Sequence, residues 1–425
     1  MNSYTLAMTM LLAEATRMPA ESWGVGEAVG RVLAKAVVSS IDLPSFDHAA
    51  MDGYALSAAT PVAAGSEHDV HGSQAAGDEA TVDDLHGQDL RGRVGACEIM
   101  TGARLPAGLD AVVAVERTEC LATHADGTPA RIRLREVLVA GENVRYAGSD
   151  VAFGATVLPA GTRIESAHIM LLAALGIADI DVVRRPRVAI ICTGKELQVD
   201  PSQPLAQGRI HNSNGPYLVA ALTTAGAAVL SCETVNDTAT TYADAVKRAV
   251  AAGADLVIST GAVSMGRYDF VPETLRRFHA TLLFHKLAIR PGKPVLCAKL
   301  PGGQLILALP GTPMAVAAGL RFIALPVLLS MHGRGDEPIL RAVLDAPIQV
   351  RPGLRHFLRG SLHQTTDGSW HATVSPQQQP FRIRPFAEAD AWIVLPEDAG
   401  DCAAGTLVDV VALEPGRLPQ GRFPH

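Results

Sequence analysis

The sequence predicts a multidomain protein of the α/β plus β class, with a β-rich region, an α/β domain containing a parallel sheet and a small C-terminal β-barrel. The length of 425 residues corresponds to roughly two to four domains of the usual size. Apolar strands alternate with helical runs from Arg187 onward, and short strands separated by turn residues return after Pro338. The hydrophobic content of 48% is sufficient for substantial buried cores.

The N-terminal segment predicts an amphipathic helix. Leu6, Met10 and Ala13 occur at positions i, i+4 and i+7, which places them on one helix face. A short apolar run followed by Ala13, Glu14 and Ala15 resembles a signal peptide, but the segment lacks a basic n-region. A helix is therefore expected rather than a secretory signal.

The region from about residue 65 to residue 140 predicts a small β-rich domain. Ile132 and Leu134 alternate with arginines, and this period of two is typical of a half-exposed strand. The sequence ADGT at residues 125–128 comes just before this strand and predicts a hairpin turn.

From residue 187 the pattern predicts βαβ units. The apolar strands VAIICTG and DLVISTG alternate with the helical runs PYLVAALTTAGA and YADAVKRAVAAGA, and QLILALPGTPMAVAAGLRF repeats strand, loop and helix. This alternation implies a parallel sheet. After Pro338 the short strands RAVL, DAWIVL and TLVDVV predict a β-barrel that closes the chain.

Composition and charge argue against several classes of protein. The formal charge is −7 and the basic residues are scattered, so no nucleic-acid partner is expected and small-molecule partners fit better. The apolar run at residues 314–331 contains Arg321 and Pro326, which favours a buried helix over a membrane span. The cysteines lack the spacing of a zinc site and are typical of reduced residues in a cytoplasmic protein: Cys97, Cys120, Cys192, Cys232, Cys297 and Cys402.

Three loops predict an anion site at the edge of the parallel sheet, where ligands bind beyond the carboxyl ends of the strands. They are CTGKEL (192–197), STGAVSMGRYDF (259–270) and LPGTP (309–313), in which Gly permits close backbone approach and Ser or Thr adds hydroxyl donors. Ordinary tight βα turns are the alternative, because the P-loop and dinucleotide fingerprints are both absent. Recurrence in three loops favours a phosphorylated ligand. The candidate contacts are Thr193, Gly194, Gly261, Ser264, Pro310, Gly311 and Thr312.

Charged residues in and near these loops predict a magnesium and oxyanion site. Glu196 and Asp269 lie in two of the loops and Asp237 follows another possible strand, so they suit Mg²⁺, which is usually shared with substrate phosphates. Each acid alone would also suit a helix cap or a solvated charge. Arg290 and Lys293, held by prolines, suit an oxyanion or a basic turn. The residues alone predict a magnesium-dependent enzyme acting on a phosphate ester or nucleotide phosphate.

The segment FDHAAMDGYAL at residues 46–56 carries Asp47 and Asp52 without a positive charge in the run, which an ordinary surface loop does not explain. It belongs to a series of motifs, which are, in order, DLPSFDHAAMDGYAL, EIMTGARLPAGLDAVVAVE, GENVRYAGSDV, CTGKEL, STGAVSMGRYDF, LAIRPGKP and LALPGTP. Taken in this order, the motifs resemble the molybdopterin molybdenumtransferase family, which includes the MoeA and gephyrin E-domain proteins. The resemblance covers nearly the whole chain.

The resemblance implies an elongated homodimer of four-domain protomers in the cytoplasm. A discontinuous N-terminal domain (1–45 and 141–180) would be interrupted by the β-rich inserted domain (46–140). An α/β molybdopterin-binding domain (181–331) and a C-terminal β-barrel domain (332–425) would follow.

The resemblance also implies an enzyme of molybdenum cofactor biosynthesis. The implied transferase reaction inserts molybdate into adenylylated molybdopterin, with Mg²⁺-assisted cleavage of the pyrophosphate link and release of AMP. Other proteins of molybdenum cofactor biosynthesis are possible partners.

Carried over by motif, Asp52, Thr101 and Asp150 of one protomer would lie at an active site between protomers, where Asp52 would reach the partner's magnesium or phosphate region. Arg355 or Arg359 would supply a further anion contact from the last domain. The catalytic residues implied are Asp52, Glu196, Asp237 and Asp269, the last three as metal ligands, with Ser264, Arg290 and Lys293 beside them.

The chain departs from the family pattern at several positions. Thr312 replaces an asparagine, Ala315 stands where a serine is common, Ala262 replaces a glycine and Arg290 replaces a lysine. The sequence QQQPFRIRPF at residues 377–386 replaces a Gly-Ser-Gly-like stretch. Several of these changes fall where the family binds molybdate.

These departures leave two other functions open. The first is a divergent paralogue that binds or carries molybdopterin without inserting the metal. The second is a scaffold that keeps only the fold, against which the retained carboxylates Asp52, Glu196 and Asp269 argue.

Overall fold

The computed structural model describes residues 2–78, 95–263, 270–335 and 337–414. Short 3₁₀ helices span Val25–Glu27 and Val115–Arg117, and a π-helix spans Leu320–Ala324. The α-helices are α1 (Tyr4–Glu14), α2 (Ser166–Ala174), α3 (Asn214–Thr224), α4 (Ala239–Ala251), α5 (Val271–Arg277), α6 (Pro313–Gly319), α7 (Leu325–Met331) and α8 (Arg384–Ala387).

The strands are β1 (Ala20–Gly24), β2 (Val37–Val38), β3 (His48–Ala49), β4 (Gly53–Leu56), β5 (Glu67–Gln74), β6 (Gly95–Ile99), β7 (Ala111–Ala114), β8 (Thr118–Thr123), β9 (Pro129–Leu134), β10 (Val144–Arg145), β11 (Thr156–Leu158), β12 (Asp179–Val183), β13 (Arg187–Thr193), β14 (Leu197–Gln198), β15 (Ile210–His211), β16 (Ala228–Val235), β17 (Leu256–Thr260), β18 (Thr281–His285), β19 (Ile289–Arg290), β20 (Leu296–Lys299), β21 (Leu305–Leu309), β22 (Leu340–Leu344), β23 (Arg355–Gln364), β24 (Trp370–Val374), β25 (Ala391–Leu395) and β26 (Leu407–Ala412).

The α/β region contains a six-stranded mixed sheet in the order β16-β13-β17-β21-β20-β18. β13 pairs in parallel with β16 and β17, and β17 pairs in parallel with β21, which confirms the predicted parallel arrangement for these strands. β20 and β18 continue the sheet in antiparallel fashion. The sequence between β20 and β21 is too short for a crossover connection, so an antiparallel pair is the only arrangement available to them.

Helices cover both faces of this sheet. On one face, residues of α1, α3 and the helical segment Pro313–Met331 form a large buried cluster with strand residues such as Ile190 and Ile258. On the other face, Tyr242 and Val246 of α4 pack with Leu275 of α5. The loops that follow the carboxyl ends of the parallel strands define the site described below.

The C-terminal region is a closed five-stranded barrel, as predicted. The strands follow the order β23-β24-β22-β26-β25, and β25 pairs back with β23, so the ring has no open edge. Buried side chains such as Leu344, Leu362, Ile393 and Val410 fill it. β19, which carries Arg290, adds in parallel to β23 and joins the α/β region to the barrel wall.

The N-terminal half has the predicted discontinuous arrangement. A six-stranded sheet in the order β7-β4-β6-β5-β9-β8 forms the β-rich insert, with β8 and β9 in the predicted hairpin. The ladders β1–β12, β2–β11 and β3–β10 each join a segment before this sheet to a segment after it. The chain therefore passes from the first domain into the insert and then back into the first domain.

Helix α1 forms as predicted, but the face that carries Leu6 and Met10 is not the face that packs. Ala7, Met8 and Leu11 are buried against the α/β core, whereas Leu6 and Met10 are exposed. Apolar residues occur around the whole helix, so periodicity alone did not select the face that packs.

The apolar run near residue 320 forms a core helix, in agreement with the sequence. The segment Pro313–Met331 is long and apolar enough to cross a membrane by length and composition, and 89% of its most apolar window is buried inside the protein. Arg321 is buried within it and pairs with Glu337 at 2.7 Å.

Candidate functional site

A cleft of about 990 Å³ lies where the loops of the mixed sheet meet the C-terminal barrel. The sheet side includes Ala262 and Val263 of the second loop and residues 310–312 of the third. Arg290 and Lys293 line the same side. The barrel side includes His356, Leu358, Arg359, Gln378 and Trp392.

The three predicted loops converge because their strands are neighbours in register. Cys192 of β13 lies opposite Thr260 of β17, and Thr260 lies opposite Leu309 of β21, so the strands end together. The Thr193 hydroxyl donates to the Thr260 carbonyl at 3.0 Å. The Gly261 amide donates to the Leu309 carbonyl at 2.9 Å.

Glycine is required at Gly261 by close packing of these loops. A Cβ atom on Gly261 would lie 2.5 Å from Thr193 Oγ1 and 2.8 Å from the Thr193 carbonyl oxygen, and its φ is +93°. A Cβ atom on Gly311 would in turn lie 3.6 Å from the Gly261 Cα. Asn214, which sequence reasoning missed, donates its side-chain amide to the Gly311 carbonyl at 2.8 Å and so fixes the third loop from α3.

Glu196 and Asp237 lie at the first of these loops. A Cβ atom on Gly194 would meet Glu196 Oε1 at 2.7 Å, and the Lys195 amide donates to Asp237 Oδ2 at 3.2 Å. Glu196 is exposed and Asp237 is half-buried, so both offer oxygen atoms that solvent or a ligand can reach. Hard oxygen donors of this type fit Mg²⁺. The other two predicted residues of this group, Ser264 and Asp269, lie outside the described residues.

The cations and most of the family departures lie on one wall of the cleft. Arg290, Thr312, Ala262 and Ala315 all line it, together with Lys293. Arg290 and Lys293 are exposed, and Thr312 precedes α6 without a side-chain capping hydrogen bond. The departures therefore alter the surface that a ligand in this cleft would touch.

The predicted barrel arginines occupy two different environments. Arg359 lines the cleft but is 1% exposed, and its guanidinium donates to the carbonyl oxygens of Gln377 at 2.5 Å and Arg382 at 2.7 Å. Burial lowers the pKa of Arg359 from its ordinary value. Arg355 lies over the Tyr4 ring, 4.8 Å from its centroid, and is not among the described residues that line the cleft. Arg359 therefore holds the divergent segment 377–386 in place.

Asp52, Thr101 and Asp150 belong to the N-terminal half, away from the described lining of the cleft. Asp52 Oδ1 accepts hydrogen bonds from the Thr101 amide and the Thr101 hydroxyl, both at 2.7 Å. The pKa of Asp52 is lowered from its ordinary value, mainly by the hydrogen bond from the Thr101 amide and then by the hydrogen bond from the Thr101 hydroxyl. Asp150 is exposed, while Asp47 accepts a hydrogen bond from the Ala147 amide at 2.7 Å.

The barrel side of the cleft contains residues that sequence reasoning missed. Gln378 and Trp392 line it, and Gln378 accepts from the Arg359 amide at 3.2 Å while donating to the Arg359 carbonyl at 2.8 Å. The indole nitrogen of Trp392 is buried without a hydrogen-bond partner in the described part of the chain. Trp392 belongs to no site motif, and Gln378 lies in the divergent segment 377–386. The docking of the barrel against the loops brings both residues to the site.

Comparisons with known proteins agree with this architecture. The family described as "MoeA N-terminal region (domain I and II)" matches residues 3–176, "Probable molybdopterin binding domain" matches residues 189–330 and "MoeA C-terminal region (domain IV)" matches residues 341–413. A crystal structure of the molybdopterin biosynthesis MoeA protein of Pyrococcus horikoshii OT3 has a TM-score of 0.78 and 26% identity, and the match covers 97% of this chain and all of that one.

Curated relatives extend along nearly the whole chain. The molybdopterin molybdenumtransferase of Synechococcus elongatus is 34% identical over 97% of this chain and 99% of its own length. The molybdopterin molybdenumtransferase 2 of Mycobacterium tuberculosis is 35% identical over 90% of this chain and 93% of its own length. With matches in all three regions and relatives above 30% identity, this chain belongs to the MoeA family of molybdopterin molybdenumtransferases.

Proposed function

We propose that this protein is a molybdopterin molybdenumtransferase that inserts molybdate into adenylylated molybdopterin with Mg²⁺-dependent release of AMP. The observation that supports this most directly is the convergence of Thr193, Gly261 and Gly311 beside a cleft lined by Arg290 and Lys293, in a chain of the MoeA family. Close-packed glycine loops allow backbone amides to approach a phosphate, and the two cations offset the negative charge of an oxyanion.

Within this proposal the loops and cations bind and orient the substrates. Backbone amides and the Thr312 hydroxyl of the third loop would contact phosphate or molybdate oxygens, since Thr312 is exposed and has no capping bond to break. Arg290 would pair with an oxyanion through its planar guanidinium, while Lys293 would act as a point charge. The barrel wall would exclude water from the opposite side of the cleft.

Glu196, Asp237 and Asp269 are the proposed magnesium ligands. Mg²⁺ supplies charge neutralisation of phosphate oxygens when bound. The exposed and half-buried carboxylates at the ends of β13 and β16 are suited to hold it, and the Lys195 amide positions Asp237 by donating to it.

The active assembly is proposed to be a cytoplasmic homodimer in which Asp52 reaches the site of the partner subunit. The pair of hydrogen bonds from Thr101 keeps the Asp52 carboxylate ionised and oriented, as a magnesium ligand requires. Thr101 and Asp150 would join it there. We also propose the boundaries 1–45 with 141–180, 46–140, 181–331 and 332–425. Separate hydrophobic clusters support the insert, the barrel and the discontinuous domain from Val25 onward, whereas α1 packs in the α/β core.

The second candidate function is a carrier that binds molybdopterin without inserting the metal. It is favoured by one observation: Ala262, Arg290, Thr312 and Ala315, which differ from the family pattern, all line the cleft. The loss of a serine hydroxyl at Ala315 removes a donor for an oxyanion while leaving the loops that would hold the pterin phosphate.

Single-turnover release of AMP from adenylylated molybdopterin tests both candidates. The purified protein is mixed with substrate and Mg²⁺, with and without molybdate, and active cofactor is scored in parallel. AMP release stimulated by molybdate, with cofactor formation, supports the transferase. Tight pterin binding without a response to molybdate supports the carrier, and failure to bind the pterin contradicts both.

Variants test whether Asp237 belongs to the magnesium site. Asp237→Asn is expected to slow AMP release by at least about tenfold, because an amide is a weaker magnesium ligand than a carboxylate. The control is Asp244→Asn on α4, whose carboxylate pairs with Lys247 on the surface at 3.2 Å. Equal rates for Asp237→Asn and wild type would remove Asp237 from the proposed metal site.

A further inference from the structure

A second group of potential metal ligands lies on the C-terminal barrel. His363 of β23 and His371 of β24 are direct antiparallel partners, so their side chains lie on the same face of the sheet. Asp345 follows β22 immediately, and its amide donates to the Ala372 carbonyl at 3.1 Å. Three adjoining segments of the barrel therefore hold these side chains together.

The donor atoms are nearly close enough to share one ion. Asp345 Oδ1 lies 2.9 Å from His371 Nδ1, and Asp345 Oδ2 lies 3.8 Å from His363 Nδ1. One donor from each residue lies within 4.8 Å of the others. Tetrahedral zinc, with bonds of about 2.0–2.2 Å, separates its ligands by about 3.3 Å, so the observed spacings bracket the value that coordination requires.

The carboxylate is already oriented by a neighbour outside the cluster. The Thr373 hydroxyl donates a hydrogen bond to Asp345 Oδ2. An ionised carboxylate held by a hydroxyl is typical of metal ligands, whose orientation depends on such outer contacts.

We propose that Asp345, His363 and His371 form a binding site for a divalent transition-metal ion of the zinc class. Two imidazoles and one carboxylate suit zinc, copper or nickel, whereas magnesium prefers an all-oxygen set. The three side chains are partly exposed, which leaves room for water to complete the coordination. The ion would join the end of β22 to β23 and β24, and none of the three residues is among the described residues lining the cleft.

This site is independent of the proposed transferase function. It uses neither the loops of the mixed sheet nor the carboxylates assigned to magnesium. A protein that lacked transferase activity could still bind zinc here, and an active transferase could fail to bind it.

Zinc binding to the full-length protein tests the proposal. The protein is first treated with a chelator and dialysed, then titrated with Zn²⁺ by calorimetry in excess Mg²⁺, which occupies all-oxygen sites. Wild type is expected to bind a single zinc ion at the cluster. His363→Gln and His371→Gln are each expected to weaken that binding by at least about tenfold, because each removes one ligand.

His279→Asn is the matched control. His279 is exposed on the loop after α5 and has a φ of +55°, which asparagine tolerates. It should bind zinc like wild type. Equal zinc affinity in the His363→Gln, His371→Gln and control proteins would overturn the proposal. The absence of zinc binding by wild type would also overturn it, and the cluster would then be a simple His-Asp hydrogen bond.

A measurement on wild type removes any dependence on how the variants fold. Carbethoxylation by diethyl pyrocarbonate modifies imidazole nitrogens, and modified residues are located by mass spectrometry. Zn²⁺ is expected to protect His363 and His371 while leaving the modification rate of His279 unchanged. Identical rates at His363 and His371 with and without Zn²⁺ would contradict a shared metal site.

Discussion

At the scale of single residues, Gly261 has no room for a side chain. Gly261→Ala places a Cβ 2.8 Å from a carbonyl oxygen that cannot rotate away, and Gly303→Ala is the matched control because its φ of +90° is similar and nothing lies within 4 Å. Both variants carry backbone strain, so their difference isolates the contact. We expect Gly261→Ala to lose about 1–3 kcal/mol more unfolding free energy in urea denaturation. Equal losses of unfolding free energy in the two variants would show that the loops rearrange around the added Cβ without loss of stability.

Asp52 provides a second residue-scale prediction, because its partner can be changed conservatively. Thr101→Val removes the hydroxyl donor but keeps the amide donor, so the pKa of Asp52 should rise toward its ordinary value of 3.8. Thr101→Ser retains the hydroxyl and should preserve the low pKa. A ¹³C-aspartate NMR titration measures both.

The pH dependence follows from the sign of this shift. Because the pKa of Asp52 is lowered on folding, its stabilising contribution is complete above pH 3.8 and fades as the pH falls through the lower folded value. Thr101→Val should therefore reduce stability most at neutral pH and lose its effect in acid. A pKa unchanged by Thr101→Val would mean that the amide alone holds the carboxylate.

Residue identity predicted part of the site for a definite physical reason. Thr193, Gly261 and Gly311 could be predicted to meet because parallel strands deliver their carboxyl ends to one edge. The environment of Arg359 could not be predicted, because its hydrogen-bond partners are carbonyl groups 18 and 23 residues further along the chain. A sequence motif shows that an arginine is present. Whether its N–H groups are available to a ligand depends on the hydrogen bonds that the arginine makes in the fold.

At the scale of elements, α1 shows how packing selects a helix face. Leu11 is 1% exposed in the α/β core and Leu6 is 55% exposed on the same helix, and leucine and alanine have similar helix propensities. Leu11→Ala should lose about 2–5 kcal/mol of unfolding free energy, because it leaves a cavity. Leu6→Ala should stay within about 0.5 kcal/mol of wild type. Similar losses in urea denaturation would contradict the assigned face.

Element type was predictable where spacing was strong, and strand direction was predictable for the parallel strands of the βαβ units but not for β18 and β20. The alternation around Ile132 and the turn at residues 125–128 led to the hairpin β8–β9, whose register confirms it. The strands β18 and β20 carry apolar residues like their neighbours, and only the short connections between them impose antiparallel pairing. The hydrophobic periodicity of a strand indicates which residues are buried, whereas the length of the connection between two strands determines whether they pair in parallel or antiparallel.

At the scale of the whole molecule, the cleft exists because the barrel docks against the α/β region. Arg321 pairs with Glu337 and donates through Nε to the Ala412 carbonyl at 2.8 Å, so a buried charge crosses the junction. The sequence placed the loops and the barrel in order along the chain, but the face that the barrel presents depends on such contacts between distant segments. For this reason His356, Gln378 and Trp392 were not predicted as cleft residues.

Phe322 offers a test of whether the two regions unfold as one unit. Its ring stacks on Phe357 of β23 with centroids 3.8 Å apart and meets Trp392 edge-on at 5.6 Å, yet it is not among the described cleft residues. Phe322→Ala should lose about 3–5 kcal/mol of unfolding free energy. The control is Phe153→Ala, whose side chain is 70% exposed and should change little.

Hydrogen exchange then distinguishes shared from local stability. Because Phe322 belongs to the helical segment and Phe357 to the barrel, loss of their contact should lower amide protection on both sides, in Pro313–Met331 and in β23. Lower protection in the helical segment alone would show that the barrel is stable without its partner. Lower protection in both would show that the helical segment and the barrel are stabilised together, through a contact that also positions the cleft residues Phe357 and Trp392.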